Sequence, residues 1–164
     1  MGTIDTPLYM DVDYRRDHSD GLIDSLLSAR LFAGIDREEI VAILREFDQQ
    51  RFNHGHRVTL QGLRGSDFYI VFDGHARVLV DEKEVATLGL GDFFGEVGVL
   101  SDGLRTATVE ATTQLRTLVL SHNGLEPLLM RHPKLAVNLL REVLNRFRSV
   151  STAAAGTRES SPDR

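Results

Sequence analysis

Two stretches near the start of the chain place apolar residues at helical spacing. The first follows Asp20 and carries leucine or isoleucine at positions 22, 23, 26 and 27, which share one helix face. The second begins at Asp36, which can cap a helix and is followed three residues later by Glu39 in a capping-box arrangement. Its apolar face consists of Ile40, Val41, Ile43, Leu44 and Phe47. The pattern predicts two helices before residue 50.

After residue 50 the pattern changes to short β segments separated by glycine. These segments recur about every ten residues, with no long helix between them. The predicted strands span residues 57–60, 67–72, 76–80, 84–88, 106–111 and 115–120. This spacing is typical of an antiparallel barrel or jelly roll.

Helical spacing returns at the end of the chain. Residues 124–130 form a short predicted helix, and Pro133 stands where the first turn of a longer helix tolerates proline. The apolar stripe of this longer helix consists of Leu135, Ala136, Leu139, Leu140, Val143, Leu144 and Phe147. The predicted fold class is α+β, mainly β: an antiparallel β jelly-roll barrel flanked by N-terminal and C-terminal helices.

The elements define one domain with two tails, which is the organisation expected for 164 residues. We expect a flexible N-terminal arm over residues 1–20, a domain over residues 21–150 and a disordered polar tail over residues 151–164. Neither a helix-turn-helix nor a catalytic domain follows the last predicted helix. We therefore expect a domain without an attached output.

Composition and charge exclude several classes of protein. The chain has no cysteine, which excludes a disulfide scaffold, a thiolate zinc site, an iron–sulfur cluster and a cysteine nucleophile, and suits a cytoplasmic location. The apolar runs are too short to span a bilayer, so we expect no membrane partner. The 19 basic and 24 acidic residues leave a net charge of −5. An acidic chain without a groove-reading element is not expected to bind DNA.

The segment with the clearest chemistry spans residues 93–111. Gly95 and Glu96 follow a β segment, and Arg105 comes nine residues after Glu96. A short helical turn after the strand would direct several backbone N–H groups toward one anion, which the guanidinium of Arg105 would also meet. Because a phosphate would repel Glu96, that carboxylate needs another polar partner, and a ribose hydroxyl would serve. The segment predicts an anion site.

In its setting of leading helices, glycine-spaced strands and closing helices, this segment resembles the phosphate-binding cassette of the cyclic nucleotide-binding domain family. The family pattern is roughly F-G-E, a variable stretch, then R-[TSA]-A, and it matches residues 94–96 and 105–107. The resemblance covers about residues 22–148. It implies a cyclic nucleotide as ligand, no enzymatic activity, and neither a metal nor another cofactor.

The resemblance also implies a role for each cassette residue. Gly95 and the neighbouring backbone amides would line the ribose and phosphate, and Glu96 would accept a hydrogen bond from the ribose 2′-hydroxyl. Arg105 would pair with the cyclic phosphate, to which Thr106 and the amide of Ala107 would add hydrogen bonds. The complete predicted cassette consists of Phe94, Gly95, Glu96, Val97, Arg105, Thr106 and Ala107.

Further ligand contacts are implied outside the cassette. Val85 and Leu88, on the preceding strand, would offer apolar contact to the sugar or base. The last helix is the usual lid over the base, and Arg146 and Ser149 are the polar candidates on it. Thr106 leaves the base open, since its hydroxyl could satisfy a guanine amino group while relatives with Ser or Thr there also bind cyclic AMP. We expect cyclic AMP to be favoured over cyclic GMP.

The expected mechanism is ligand-linked closure. The cassette would shift inward around the ligand, and the apolar stripe of Leu140, Leu144 and Phe147 would repack as a lid over the base. If this stripe is exposed when the lid is open, it suggests a protein partner or a homodimer along the last helix. The expected role is a regulatory sensor that acts on a separately encoded protein effector.

One turn departs from the family pattern. The family often has an acidic residue after the first glycine of the turn, whereas Gly62 is followed here by Leu63 and Arg64. We expect this turn to lie away from the phosphate, so that the departure affects loop packing more than binding.

Two other functions compete with a nucleotide sensor. In the first, the fold is degenerate: Arg105 and Glu96 pair with each other, and the domain is a nucleotide-independent protein interaction module. In the second, His54 and His56 begin the metal site of a cupin-type enzyme. That site also needs a glutamate and a later histidine, both of which are missing, although Gln61 stands nearby. Surface histidines on a turn explain the motif better.

Overall fold

The computed structural model describes residues 20–156, which form two four-stranded antiparallel sheets, with helices packed against one of them. The strands are β1 (Asp48–Phe52), β2 (Arg57–Thr59), β3 (Asp67–Asp73), β4 (Ala76–Val80), β5 (Lys83–Leu88), β6 (Phe93–Phe94), β7 (Thr108–Ala111) and β8 (Leu115–Ser121). One sheet has the order β1-β8-β3-β6 and the other β2-β7-β4-β5. Every strand pair is antiparallel. The predicted fold class, mainly antiparallel β with flanking helices, is confirmed.

Five helices flank the sheets. They are α1 (Asp20–Leu26), α2 (Arg37–Leu44), α3 (Glu96–Leu100), α4 (His122–Arg131) and α5 (Pro133–Gly156), with a 3₁₀ turn at Arg30–Phe32. The capping box predicted for α2 forms, since the backbone N–H of Glu39 donates to the side chain of Asp36. None of the described helices is long and apolar enough to cross a bilayer.

The last helix runs further than the sequence predicted. Residues 151–156, expected to belong to a disordered tail, continue α5 as far as Gly156. The alanines at positions 153–155 have the highest helix propensity, and the Thr152 hydroxyl donates to the carbonyl of Arg148 one turn earlier. The predicted arm at residues 1–19 and the tail at residues 157–164 lie outside the described residues.

Two strands were not predicted from the sequence pattern. The polar sequence of β1 has little strand character, yet Gln49 and Phe52 are buried as the strand pairs with β8. Strand β6 has only two residues, too few for an alternating pattern. It nevertheless places Phe93 in the core between helices and sheet, and Phe94 in the core between the two sheets. The segment after β6 is therefore anchored in both cores.

Helix α5 is fixed to the domain through its first half. Leu135 and Leu139 are buried, and the side-chain amide of Asn138 donates to the carbonyls of Leu31 and Ala33 at 3.0 and 2.9 Å. The bond to Leu31 is buried and the bond to Ala33 is partly buried, so they satisfy two carbonyls that would otherwise lose hydrogen bonds to water on folding. The second half of α5 passes beside α3 and the segment that follows β6.

Candidate functional site

The backbone turns sharply at Gly95, between β6 and α3. Gly95 has φ = +89°, a left-handed conformation that favours glycine, and it precedes the first residue of α3. The residue before the turn is fixed to the sheet, because Phe94 pairs with Tyr69 of β3 and the two rings stack with their centres 4.7 Å apart. The short helical turn predicted after this strand is thus α3.

Arg105 is a buried cation directly opposite this turn, with a side chain held by backbone carbonyls. One terminal nitrogen, Nη1, donates to the carbonyl of Gly95 at 3.2 Å, and the other, Nη2, donates to the carbonyl of Asp67 at 2.9 Å. Arg105 is only 7% exposed. Among residues 20–156, no carboxylate lies within ion-pair distance of its guanidinium. A buried charge without a counter-ion is costly, and an anion placed here could accept hydrogen bonds from the N–H groups that the two carbonyls leave free.

The glycine turn at residues 62–65 packs directly against Arg105. The backbone N–H of Gly62 donates to the Arg105 carbonyl at 2.8 Å, and the N–H of Arg105 donates to the Leu63 carbonyl at 2.9 Å. The N–H of Gly65 donates to the carbonyl of Gly103 at 2.9 Å. The turn does not line the cavity described below, so its expected place away from the phosphate stays a prediction.

Glu96, the first residue of α3, is buried beside Arg146 of α5. A carboxylate oxygen of Glu96 lies 3.7 Å from Nη1 of Arg146. Burial raises the pKa of the Glu96 carboxyl above its ordinary value, although Arg146 and, to a smaller extent, Arg105 oppose the shift. The guanidinium of Arg146 also lies 4.1 Å from the centre of the Phe93 ring. The ion pair of Glu96 is therefore with α5, and not with Arg105 as the interaction-module alternative supposed.

A cavity of about 130 Å³ lies between these groups. Nine of the predicted site residues line it: Leu88, Phe94, Gly95, Glu96, Val97, Arg105, Thr106, Ala107 and Arg146. Sequence analysis missed four further lining residues: Thr59, Val78, Gly98 and Val109. Strand alternation carried a signal for two of these, since Val78 and Val109 face each other across β4 and β7 on the inward side.

Two predicted contacts do not reach the cavity. Val85 is 56% exposed, because it lies at the register shift between β4 and β5, in a strand whose first five residues are all exposed. Ser149 lies one turn beyond Arg146 on α5, and its hydroxyl donates to the Arg146 carbonyl within the helix. Both residues are exposed and lie outside the lining of the cavity, and their contact with a ligand stays a prediction.

The two histidines of the H-x-H motif are not part of a metal cluster in the described structure. His54 is exposed, and the His56 ring lies 5.1 Å from that of Phe52. Within residues 20–156, no three His, Cys, Asp or Glu side chains come together in a way that could hold a metal ion.

Comparison with known proteins identifies similar sequences and folds. Residues 49–132 match a family model described as the cyclic nucleotide-binding domain. A CRP-like cAMP-activated global transcriptional regulator of Mycobacterium tuberculosis is 26% identical over 139 residues, which cover 81% of this chain and 62% of the regulator. A cGMP-dependent protein kinase of Drosophila melanogaster is 33% identical over 92 residues, covering 52% of this chain and 10% of the kinase.

Among solved structures, the catabolite activator protein of Thermus thermophilus superposes with a TM-score of 0.73 and 28% sequence identity. The superposition covers 79% of this chain and 63% of the other. The chain thus spans less than two thirds of each of these relatives.

Proposed function

Because the chain belongs to the cyclic nucleotide-binding domain family, we propose that it binds a cyclic nucleotide in the cavity formed by β6, α3 and Arg105. The single observation that carries the proposal is the buried guanidinium of Arg105, which is held by two carbonyls and lacks a carboxylate partner among the described residues. A cyclic phosphate would supply the missing counter-charge and accept hydrogen bonds from the remaining N–H groups of the guanidinium. Thr106 and Ala107 line the same cavity and would add hydrogen bonds to the phosphate.

We propose cyclic AMP as the favoured ligand. The name of the Mycobacterium relative specifies cAMP, and that relative matches 81% of this chain, whereas the cGMP-dependent kinase matches 52%. Thr106 supplies a hydroxyl that would also suit a guanine amino group, so cyclic GMP is the natural competitor. Calorimetric titration of the full chain with each nucleotide tests both proposals, since saturable binding supports a sensor. The absence of heat from a folded, ligand-free sample would instead favour the interaction module.

Binding of a whole nucleotide requires the cavity to enlarge. Its volume of about 130 Å³ is smaller than the roughly 300–1,000 Å³ of sites that hold ligands of drug size. Arg146 is the side chain of α5 that lines the cavity, where it contacts Glu96. We propose that a ribose hydroxyl donates a hydrogen bond to the Glu96 carboxylate and replaces Arg146 as its partner. Because Arg146 is then released, the second half of α5 can move and close over the base.

Replacing Glu96 with glutamine is expected to stabilise the free protein at neutral pH while weakening nucleotide binding. Desolvation raises the pKa of Glu96 above its ordinary value of 4.5, so the folded state keeps a proton that the unfolded chain has already lost. The free energy of unfolding therefore falls as pH rises between the ordinary and the raised pKa. Glutamine carries no charge, so thermal unfolding of Glu96→Gln should lack this fall. Calorimetry should show roughly fivefold weaker nucleotide binding, because hydrogen bonds to neutral groups are weaker.

Glu110→Gln is the matched control, because the pKa of Glu110 is shifted in the opposite direction. Hydrogen bonds from Arg77 and Arg57 lower the pKa of the Glu110 carboxyl, so its contribution is present near neutral pH and lost as pH falls. This variant should unfold at a lower temperature than the wild type and bind nucleotide normally. A Glu96→Gln protein that is less stable at neutral pH would mean that the Arg146 ion pair outweighs desolvation.

We also propose that two chains associate through α5. The lid stripe of Leu140, Leu144 and Phe147 is exposed in the structure, as is Val137. These positions are spaced by three, four and three residues, which is the spacing of a coiled-coil seam. Phe147 follows directly after Arg146, so movement at the nucleotide site would be transmitted to the seam.

The variant Phe147→Glu is expected to convert a dimer to a monomer, because it places a charge in the apolar seam. The measurement is mass by analytical ultracentrifugation across a concentration series. Val85→Glu is the control, since it introduces the same charge at an apolar position 56% exposed on β5. A wild-type chain that stays monomeric, or equal disruption by Val85→Glu, would contradict an interface on α5.

The regulatory role is a further part of the proposal. A domain that closes around a nucleotide and changes its α5 surface can transmit that change to a separately encoded effector protein. The proposal is supported by the names of two relatives, a cAMP-activated transcriptional regulator and a cGMP-dependent protein kinase, which both describe regulation by a cyclic nucleotide. A cytoplasmic location remains an expectation from the sequence.

A further inference from the structure

We infer that Gly65, a residue outside the cassette, is a positioning residue for Arg105; this inference rests on the proposed nucleotide function. Gly65 is absent from the lining of the nucleotide cavity. It lines, together with Arg105, a separate cleft of about 550 Å³ between β1 and β2. Gly65 therefore contacts the guanidinium from outside the proposed nucleotide cavity.

The backbone of Gly65 lies in direct contact with the Arg105 side chain. A Cβ added at position 65 would overlap Nε of Arg105 and would come within 2.7 Å of both Cζ and Nη2. Contacts that short are not tolerated, so either the guanidinium or the loop would have to move. The loop is fixed by the Gly65 N–H to the Gly103 carbonyl and by an antiparallel bridge between Arg64 and Leu104. The guanidinium is therefore the group that would be displaced.

Backbone strain does not explain glycine at this position. The φ angle of Gly65 lies outside the left-handed region, unlike those of Gly62 and Gly95. Alanine can adopt such a backbone, and the three atoms nearest to a side chain added at position 65 all belong to the guanidinium of Arg105. This makes Gly65→Ala a selective probe of guanidinium position.

Displacing the guanidinium would break both hydrogen bonds that orient it toward the cavity. Nη2, which donates to the Asp67 carbonyl, lies next to the position of the added Cβ. Nη1 is held by the Gly95 carbonyl at the start of the cassette. The carbonyls of Gly95 and Asp67 therefore orient the guanidinium as a carboxylate otherwise would, and the absence of a side chain at Gly65 leaves the space that this orientation needs.

The test is a double-mutant cycle on the full chain, with cyclic AMP and cyclic GMP as calorimetric titrants. Gly65→Ala should weaken binding by roughly tenfold, the effect of losing one charge-assisted hydrogen bond. In the Arg105→Ala background, adding Gly65→Ala should cause no further loss. Gly21→Ala is the control, because a Cβ at position 21 meets no atom of residues 20–156 within 4 Å. Wild-type affinity in Gly65→Ala, or losses that simply add in the double variant, would overturn the inference.

A second measurement does not depend on nucleotide. The Nε–H resonance of Arg105, identified in ¹⁵N spectra by its loss in Arg105→Ala, should shift and exchange faster with water in Gly65→Ala. An unchanged resonance would overturn the inference even if neither nucleotide binds. Absence of binding by the wild-type chain would overturn the proposed function instead. Thermal unfolding completes the test, because the double variant should be no less stable than Arg105→Ala alone.

Discussion

Arg105→Ala will weaken cyclic nucleotide binding by roughly tenfold to hundredfold or more. The guanidinium is 7% exposed and offers the phosphate charge-assisted hydrogen bonds, each of which contributes about 1.5–3 kcal/mol. The loss should fall on affinity much more than on stability, since removing a buried cation without a carboxylate partner among the described residues also removes its desolvation cost. Calorimetric titration with cyclic AMP measures the first effect, and thermal unfolding measures the second.

Two further variants make this result specific. Arg105→Lys should recover only part of the affinity, because an ammonium keeps the charge but cannot donate in the planar, doubly bonded geometry. Arg116→Ala removes an arginine of β8 that lies over the Phe72 ring and near Asp73, away from the cavity, and should bind normally. Saturable binding that survives Arg105→Ala unchanged would rule out the cassette as the phosphate site.

Gly95→Ala is expected to damage both the fold and the binding site. A non-glycine residue at φ = +89° is strained, and the added Cβ would overlap the carbonyl oxygen of Asp67 while lying 2.8 Å from Nη1 of Arg105. Such strain costs of the order of 1–3 kcal/mol, and the collision adds to it. We expect a melting temperature lower by roughly 10 °C, measured by circular dichroism, and no detectable nucleotide binding.

Gly21→Ala again supplies the comparison. It makes the same substitution where no atom of the described part of the chain lies within 4 Å and where φ lies outside the left-handed region, so it should leave both stability and binding near the wild type. If Gly95→Ala unfolds at the wild-type temperature, the left-handed turn and its contact with Asp67 do not exist as described.

The cassette could be predicted because its chemistry is local in sequence. Gly95, Glu96 and Arg105 fall within eleven residues, and each residue type is restricted by a simple requirement, such as conformational freedom, negative charge or a planar cation. The strands with apolar alternation were predictable for a similar reason, since the period of two is visible within a few residues. Strands β1 and β6 were missed because one is polar and the other has only two residues.

The partners of these residues depended on contacts between distant segments. Glu96 faces Arg146 fifty residues away because α5 passes beside α3, and Arg105 rests on Gly65 and Asp67 because β3 and the turn before it meet the cassette. Val85 illustrates the same limit, since the register shift at which it lies depends on how β5 pairs with β4. Residue type and spacing therefore predicted the family of the domain and its β scaffold. The packing of segments far apart in the chain, which no local pattern encodes, determined which groups hold Arg105 and which helix touches Glu96.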